Sequence, residues 1–349
     1  MGRHPYRIRE IAMQAGLSEA TVDRALHKRG NVRASTEREV YQAITDLERQ
    51  QAQLRLSGRT FLVDLVMQTP ERFSTAVRSA LEAELPSLRP AVIRARFHLR
   101  ETSPIADVVA TLDRLPGRRS QGVILKAPAV PEIAAATTRL VRAGIPVVTL
   151  VTDIPESERL AYVGMDNRAA GATAAYLLTQ WLGTEPGSVL VTLSSTFFRG
   201  EEEREAGFRT TIRRLQPHRC LVDVTESGGL DETQHDLVLA ALTDDPSIRA
   251  VYSIGGGNVA TAAAFDVLNR PCSVFIGHDL DHHNARLLRD GRLSAVLHHD
   301  LHQDMRRACQ IIMHAHKALP GPILSWPSNI QVITPYNVPG SRSSDDRGL

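Results

Sequence analysis

GVILKAPAVPEIAAATTRLVRAGIPVVTLV, residues 122–151, reads as strand, helix, strand. GVILKA (122–127) and PVVTLV (146–151) are nearly continuous apolar runs, without the alternation of a strand wetted on one face. Such runs belong to parallel strands covered on both sides. The segment 131–143 between them is long enough for a crossover helix, which parallel neighbours require.

The same rhythm extends in both directions. Toward the amino terminus stand FLVDLVM (61–67) and AVIRARF (91–97). Toward the carboxyl terminus come SVLVTLS (188–194), CLVDVTE (220–226), AVYSIG (250–255), SVFIGH (273–278) and the short LSAVLHH. Helical segments over 169–182, 231–242 and 258–268 separate them. The repeat predicts an α/β body over residues 60–338 made of two doubly wound lobes. Residues 339–349 (GSRSSDDRGL and its preceding Pro) predict a disordered tail.

Upstream of residue 60 the strand rhythm stops, and a small all-α head is expected over 1–47. Ile8, Ile11, Ala12 and Ala15 have helical spacing, and Gly16 ends that helix as a residue that tolerates positive φ. Ser18 caps a second helix, EATVDRALH. Thr36 with Glu39 reads as a capping box for a third, with Val40, Ala43, Ile44 and Leu47 inward. The polar stretch 48–59 (ERQQAQLRLSGR plus its context) is expected to be a linker or hinge.

Charge divides at the same boundary. The chain is +2 overall, but residues 1–59 hold 11 Lys+Arg against 7 Asp+Glu, and the remainder 30 against 32. A basic head on a neutral body suggests a polyanion for the head. Cys220, Cys272 and Cys309 have neither zinc nor disulfide spacing, which fits a reducing compartment. The amino terminus lacks the apolar region of a secretory signal, and no run approaches the ~18 apolar residues of a membrane span. A cytoplasmic location without membrane partners is expected.

IREIAMQAGLSEATVDRALHKRGNVRASTEREV, residues 8–40, resembles the head of the lac repressor/gal repressor family. The specific part is the small-residue first helix, the Gly-Leu-Ser turn and Thr-Val on the next helix. The resemblance implies a helix-turn-helix whose second helix enters the major groove of double-stranded operator DNA. By that pattern Glu19, Ala20 and Arg24 face bases, while Ser18, Thr21, Asn31 and Thr36 position the backbone. For Ser18 and Thr36, helix capping explains the residues equally well. Asp23 departs from the family's Ser and should turn away or pair with Arg24 or Lys28, since phosphate repels it. The hinge departs too: it lacks the family's Tyr-x-Pro-Asn step. Leu54 or Leu56 is a candidate minor-groove wedge, or packs on the body or on a partner's hinge. One head reads one half-site, so a homodimer is expected, joined through the body.

The body resembles the ribose-binding type of periplasmic protein and the matching core of the same repressor family. The phrases that carry this are AGIPVVTLVTD, YVGMDNRAAGATAAYLL, EREAGFR, RAVYSIGGGNVATAAAF, VFIGHDL and LRDGRLSAVLHHD. The resemblance implies a small polar effector, sugar-like, lying at the carboxyl ends of strands between lobes. Arg204, Asp279 and His299 match ligand-contacting positions best; Thr69, Phe73, Lys126, Asp153 and Asn258 complete the candidates at strand and helix ends. Asp166 lies near that network or caps the helix over 169–182. Two pairs depart from the sugar binders: Val151-Thr152 replaces Asp-Arg, and Gly255-Gly256 replaces Asn-Asp. Aromatic stacking groups are few, with Phe73, Phe197 and Phe198 as candidates.

The run GEEERE (200–205) reads as a solvated helix start apart from Arg204. The His- and Asp-rich stretch 278–304 matches no metal signature, and no metal or other cofactor is expected. No nucleophile–base arrangement emerges, so an enzyme is not expected. A solute-binding protein without a regulatory role is the rival reading.

Overall fold

A computed structural model describes residues 6–29, 32–56, 60–88, 91–319, 321–323 and 325–339, with no side chain described at 46 or over 48–56. The head holds α1 (Ile8–Ala15), α2 (Glu19–His27) and α3 (Ala34–Leu56). Gly16 ends α1 at φ 68°, and its amide reaches back to the carbonyls of Ala12 and Met13. Ile11, Ala12, Val22, Ala25, Val40, Ala43 and Ile44 form the head's buried core. The third helix departs from expectation at both ends. It begins at Ala34, with the Arg33 carbonyl accepting from Glu37 N, so Thr36 sits inside the first turn and is not its cap. It also runs to Leu56, because ERQQAQLRL contains no Gly or Pro to stop it. The expected linker is therefore mostly helix. The candidate Asn31 lies outside the described residues, and so do the side chains of Leu54 and Leu56.

The body begins with β1 (Thr60–Gln68), α4 (Glu71–Glu84), β2 (Val92–Arg100), α5 (Ile105–Arg114), β3 (Gly122–Lys126), α6 (Pro131–Arg142), β4 (Val147–Leu150) and β5 (Ala161–Val163). It continues with α7 (Asn167–Leu182), β6 (Ser188–Thr192), α8 (Arg199–Leu215), β7 (Leu221–Val224), α9 (Asp231–Asp244), β8 (Ile248–Ser253), α10 (Asn258–Val267) and β9 (Val274–His278). It ends with α11 (His282–Arg289), β10 (Ala295–His298), α12 (Leu301–Ala315) and β11 (Gln331–Ile333).

The first lobe has a parallel sheet of order β2-β1-β3-β4-β5. The second has β7-β6-β8-β9-β10-β11, parallel except that β11 runs antiparallel to β10. Helices cover both faces of each sheet, burying separate apolar layers. The chain does not finish one lobe before starting the other. After β10 it returns: Leu301, Met305, Cys309 and Ile312 of α12 pack into the first lobe's core beside Phe61, Leu65 and Leu81. It then crosses again to add β11 to the second lobe. β5 and β11 are three residues each, too short for a periodicity to announce them.

Candidate effector cleft and nucleic-acid interface

In a sheet ordered 2-1-3-4-5, crossovers leave the central strand in opposite directions, which opens a crevice at the strands' carboxyl ends. Here the crevices of the two lobes face each other across a cavity of about 400 Å³. Its walls include Thr69 after β1, Lys126 ending β3, Thr152 after β4, Ser194 after β6, Gly255-Gly256 after β8 and Asp279 after β9.

Arg204 is 3% exposed. Its Nε donates to Asn167 Oδ1 at 2.8 Å and its Nη1 to the Ile254 carbonyl at 3.3 Å, while Nη2 has no partner. The guanidinium is delivered by a close crossing of α7 and α8. A Cβ on Gly171 would lie 1.8 Å from the Arg204 carbonyl oxygen, and one on Gly207 would lie 2.0 Å from that of Arg168. Asp279 adopts a left-handed backbone (φ 63°) and leaves Oδ1 without a hydrogen-bond partner, 3.6 Å from His299 Nε2. Arg204 and Asp279 are thus not paired with each other; both residues line the cavity, and each keeps one polar atom without a hydrogen-bond partner.

Lys126 is 9% exposed; Nζ donates to the Gln68 carbonyl at 3.3 Å and lies 4.3 Å from the Phe198 ring centre. Burial pushes its pKa down to about 8, against the pull of Glu201 and Asp279. His278, also on the wall, is held neutral by burial; its Nε2 meets Tyr252 Oη at 2.9 Å and its Nδ1 is unpartnered.

In the head, Ser18 Oγ caps α2 by accepting from Thr21 N at 3.2 Å and lies 2.8 Å from Thr21 Oγ1. Glu19 and Ala20 are exposed at the start of α2, and Arg24 Nε donates back to the Ala20 carbonyl at 3.1 Å. Asp23 pairs with His27 at 2.9 Å and Arg29 at 3.8 Å, in place of the expected Arg24 or Lys28.

Residues 7–48 match the model of the lacI family of bacterial regulatory proteins, and residues 65–318 match the periplasmic binding protein domain. The chain is a lacI-family regulator. Its helix-turn-helix makes it a DNA-binding transcriptional regulator. Its body has the fold of a glucose-galactose binding protein, GanP, from Geobacillus stearothermophilus (20% identity, TM-score 0.71, 80% of this chain and 99% of that one). Similar in fold are a provisionally named LacI regulator from Bacteroides fragilis (17%, 0.71, 80% and 98%) and a solute-binding protein from Actinobacillus succinogenes 130z with bound D-allose (15%, 0.69, 79% and 98%). No curated relative matches the sequence.

Within this regulator, five of the eight effector candidates line the cavity: Thr69, Phe73, Lys126, Arg204 and Asp279. The others do not. Asp153 turns away to a forked pair with Arg159, and also accepts from Thr149 Oγ1 and Ile154 N. Burial opposes its charge, but those bonds hold its carboxyl below the usual range. Asn258 stands one layer back, donating to Asn284 Oδ1 at 2.8 Å, and Asn284 lines the wall. His299 is fully buried behind Asp279, its Nδ1 bonded to Asp304, which also accepts from Ser328. Asp166 caps α7 through Ala169 N. Among the described residues, no group of three His, Cys, Asp or Glu side chains is placed to hold a metal ion.

Among the wall residues of the regulator that sequence reasoning missed are Glu201 and Arg72. Glu201 is not solvated: it accepts from Ser194 N at 2.8 Å and from Ser194 Oγ at 2.5 Å. Arg72, on α4 of the first lobe, donates across the cleft to the Gly229 carbonyl at 2.9 Å and approaches Asp281 at 3.5 Å. Further links between lobes are Gly200 N to Thr152 Oγ1 (3.0 Å) and Ala129 N to the Phe197 carbonyl (2.9 Å). Both departures from the sugar-binder pattern fall at such links. Thr152 bonds the opposite lobe, and a Cβ on Gly256 would stand 2.3 Å from Arg72 Nη2.

Proposed function

We propose that this regulator acts as a cytoplasmic homodimer, binds a pseudo-palindromic operator through paired heads, and is released when a small sugar-like effector enters the interlobe cavity. The observation that carries the effector reading is the set of unsatisfied polar atoms on residues that line the cavity from both lobes: Gln68 Oε1 from the first, and Arg204 Nη2, His278 Nδ1 and Asp279 Oδ1 from the second. Buried polar groups are ordinarily hydrogen-bonded, and a molecule rich in hydroxyls both donates and accepts. Solute-binding proteins of this fold with bound D-allose or D-arabinose support the size and type of ligand. The effector shifts operator affinity by its differential affinity for the two lobe arrangements. A gel shift with the regulator's own upstream region, titrated with sugars, tests this; an operator complex indifferent to every ligand that raises the protein's melting temperature would refute it.

Glu19, Ala20 and Arg24 are the proposed base readers, with Ser18, Thr21, Asn31 and Thr36 on the backbone and Leu54 or Leu56 as the wedge. Arg24→Ala should weaken operator binding by ~1–3 kcal/mol and relax preference at one base position, as for a guanidinium bidentate to guanine. Fluorescence anisotropy with operator variants reads both effects; an unchanged affinity and preference removes Arg24 from the readers. Removing residues 1–59 should abolish DNA binding and retain effector binding by calorimetry.

Dimerisation is assigned to the body, because the head is small, with seven buried apolar residues in its core among the described residues, and has little surface to spare. Sedimentation should give a dimer at micromolar concentration for the full chain and for the chain lacking 1–59. A monomeric truncated body would place the interface in the head or hinge.

A further inference from the structure

The cavity contains two buried cations and no carboxylate in contact with either. Lysine and arginine are almost never buried without a charged partner. Yet Lys126 Nζ has one backbone carbonyl at 3.3 Å, and Arg204 has one amide oxygen and one carbonyl. Among the described residues, no Asp or Glu oxygen lies within 4.0 Å of either cation. Each influences the other electrostatically, and Arg204 lowers the affinity of Lys126 for its proton.

The acids on the wall are already occupied. Glu201 receives both Ser194 donors, Glu226 receives Thr196 N and Oγ1, and Asp281 caps α11 through Asn284 N beside Arg72. Among the described residues, Asp279 Oδ1 is the one buried carboxylate oxygen left without a hydrogen-bond partner. The unused donors are two N–H of Lys126 and those of Arg204 Nη2.

We infer that the effector is a small polyhydroxy carboxylate, a sugar acid, whose carboxylate sits between Lys126 and Arg204 while its hydroxyls donate to Asp279 and Gln68. This rests on the effector reading above and narrows it. The four free N–H groups, two on Lys126 and two on Arg204 Nη2, suit the two oxygens of a carboxylate, each of which accepts two hydrogen bonds. A phosphate dianion would bring two charges beside Glu201 and Asp279. The cavity of about 400 Å³ accommodates a six-carbon acid.

The test is calorimetry on the full-length protein with matched pairs: D-gluconate and D-glucitol, D-glucuronate and D-glucose, D-galacturonate and D-galactose, with glucose 6-phosphate as a further arm. One acid should bind at least 30-fold more tightly than its neutral partner. Lys126→Met, which keeps the stem and removes the charge, should reduce that preference to within threefold. The same variant should melt above the wild type without ligand, since it removes an uncompensated buried charge. A neutral partner binding as tightly as its acid overturns the proposal and leaves the sugar-like effector standing. Binding of the phosphate in preference to every acid overturns the carboxylate assignment. A failure of all pairs overturns both readings, and a lower melting temperature for Lys126→Met overturns the claim that the lysine is uncompensated.

Discussion

Asp279→Ala and Arg204→Ala should each leave operator affinity within twofold of wild type and weaken effector binding by ~2–5 kcal/mol, roughly 30-fold to several thousand-fold. The physical reason is asymmetric. A charge-assisted hydrogen bond contributes about 1.5–3 kcal/mol, and stripping one partner also strands the other in a water-poor cleft. Asp279 is held for this role by its left-handed backbone and by a buried support behind it, His299 bonded to Asp304. Arg204 is held by Asn167, whose own amide donates to the Val151 carbonyl at 3.1 Å. Asp153→Asn is the informative contrast. It should lower the melting temperature by loosening Arg159 but leave effector affinity unchanged, because its carboxylate faces away from the cavity. Isothermal titration and anisotropy on the same preparations separate these outcomes. If either alanine variant still releases operator at the wild-type effector concentration, that residue is not a clamp.

The second large effect concerns the crossing of α7 and α8. Gly171→Ala or Gly207→Ala should destabilise the body by about 3 kcal/mol or more, near the upper end for overpacking. A new methyl would meet backbone carbonyls at 1.8 and 2.0 Å, and neither is the far end of a flexible side chain that could swing aside. The helices must separate by more than an ångström, which moves Arg204 off Asn167 as well. On the order of 10 °C in melting temperature is expected. Gly117→Ala, where nothing lies within 4 Å of the added carbon, should stay within ~0.5 kcal/mol. Equal melting curves for Gly117→Ala and Gly171→Ala would mean that the crossing relaxes freely.

The lobes were legible because parallel strands buried on both faces write themselves as apolar runs: GVILK and VFIGH need no partner to be recognised. The cleft was half legible for a related reason. Strand ends are where side chains meet a ligand, so Thr69, Lys126 and Asp279 could be picked from position alone. What position cannot give is the direction a side chain takes once its neighbours arrive. Asp153 and Thr152 are adjacent after β4, and only folding reveals that one serves Arg159 and the other spans the cleft. Arg72 and Glu201 lie on helix starts full of charge, indistinguishable in sequence from solvated residues. In the head, the helix-turn-helix phrase was readable to the residue, whereas the length of α3 was not, since its polar second half carries no apolar period.

The late return of α12 sets a timetable for synthesis. Domains ordinarily fold as units behind the ribosome, at ~5–20 residues per second. The head can close as soon as α3 has emerged, because its core draws on nothing downstream. The first lobe cannot. Its sheet is complete in sequence at Val163, yet Met305, Cys309 and Ile312, which fill its core, are translated roughly 140 residues later, a delay on the order of ten seconds. Through that interval a nascent chain carries a finished DNA-reading head on an unfinished sensor, with an apolar sheet face open to chaperones.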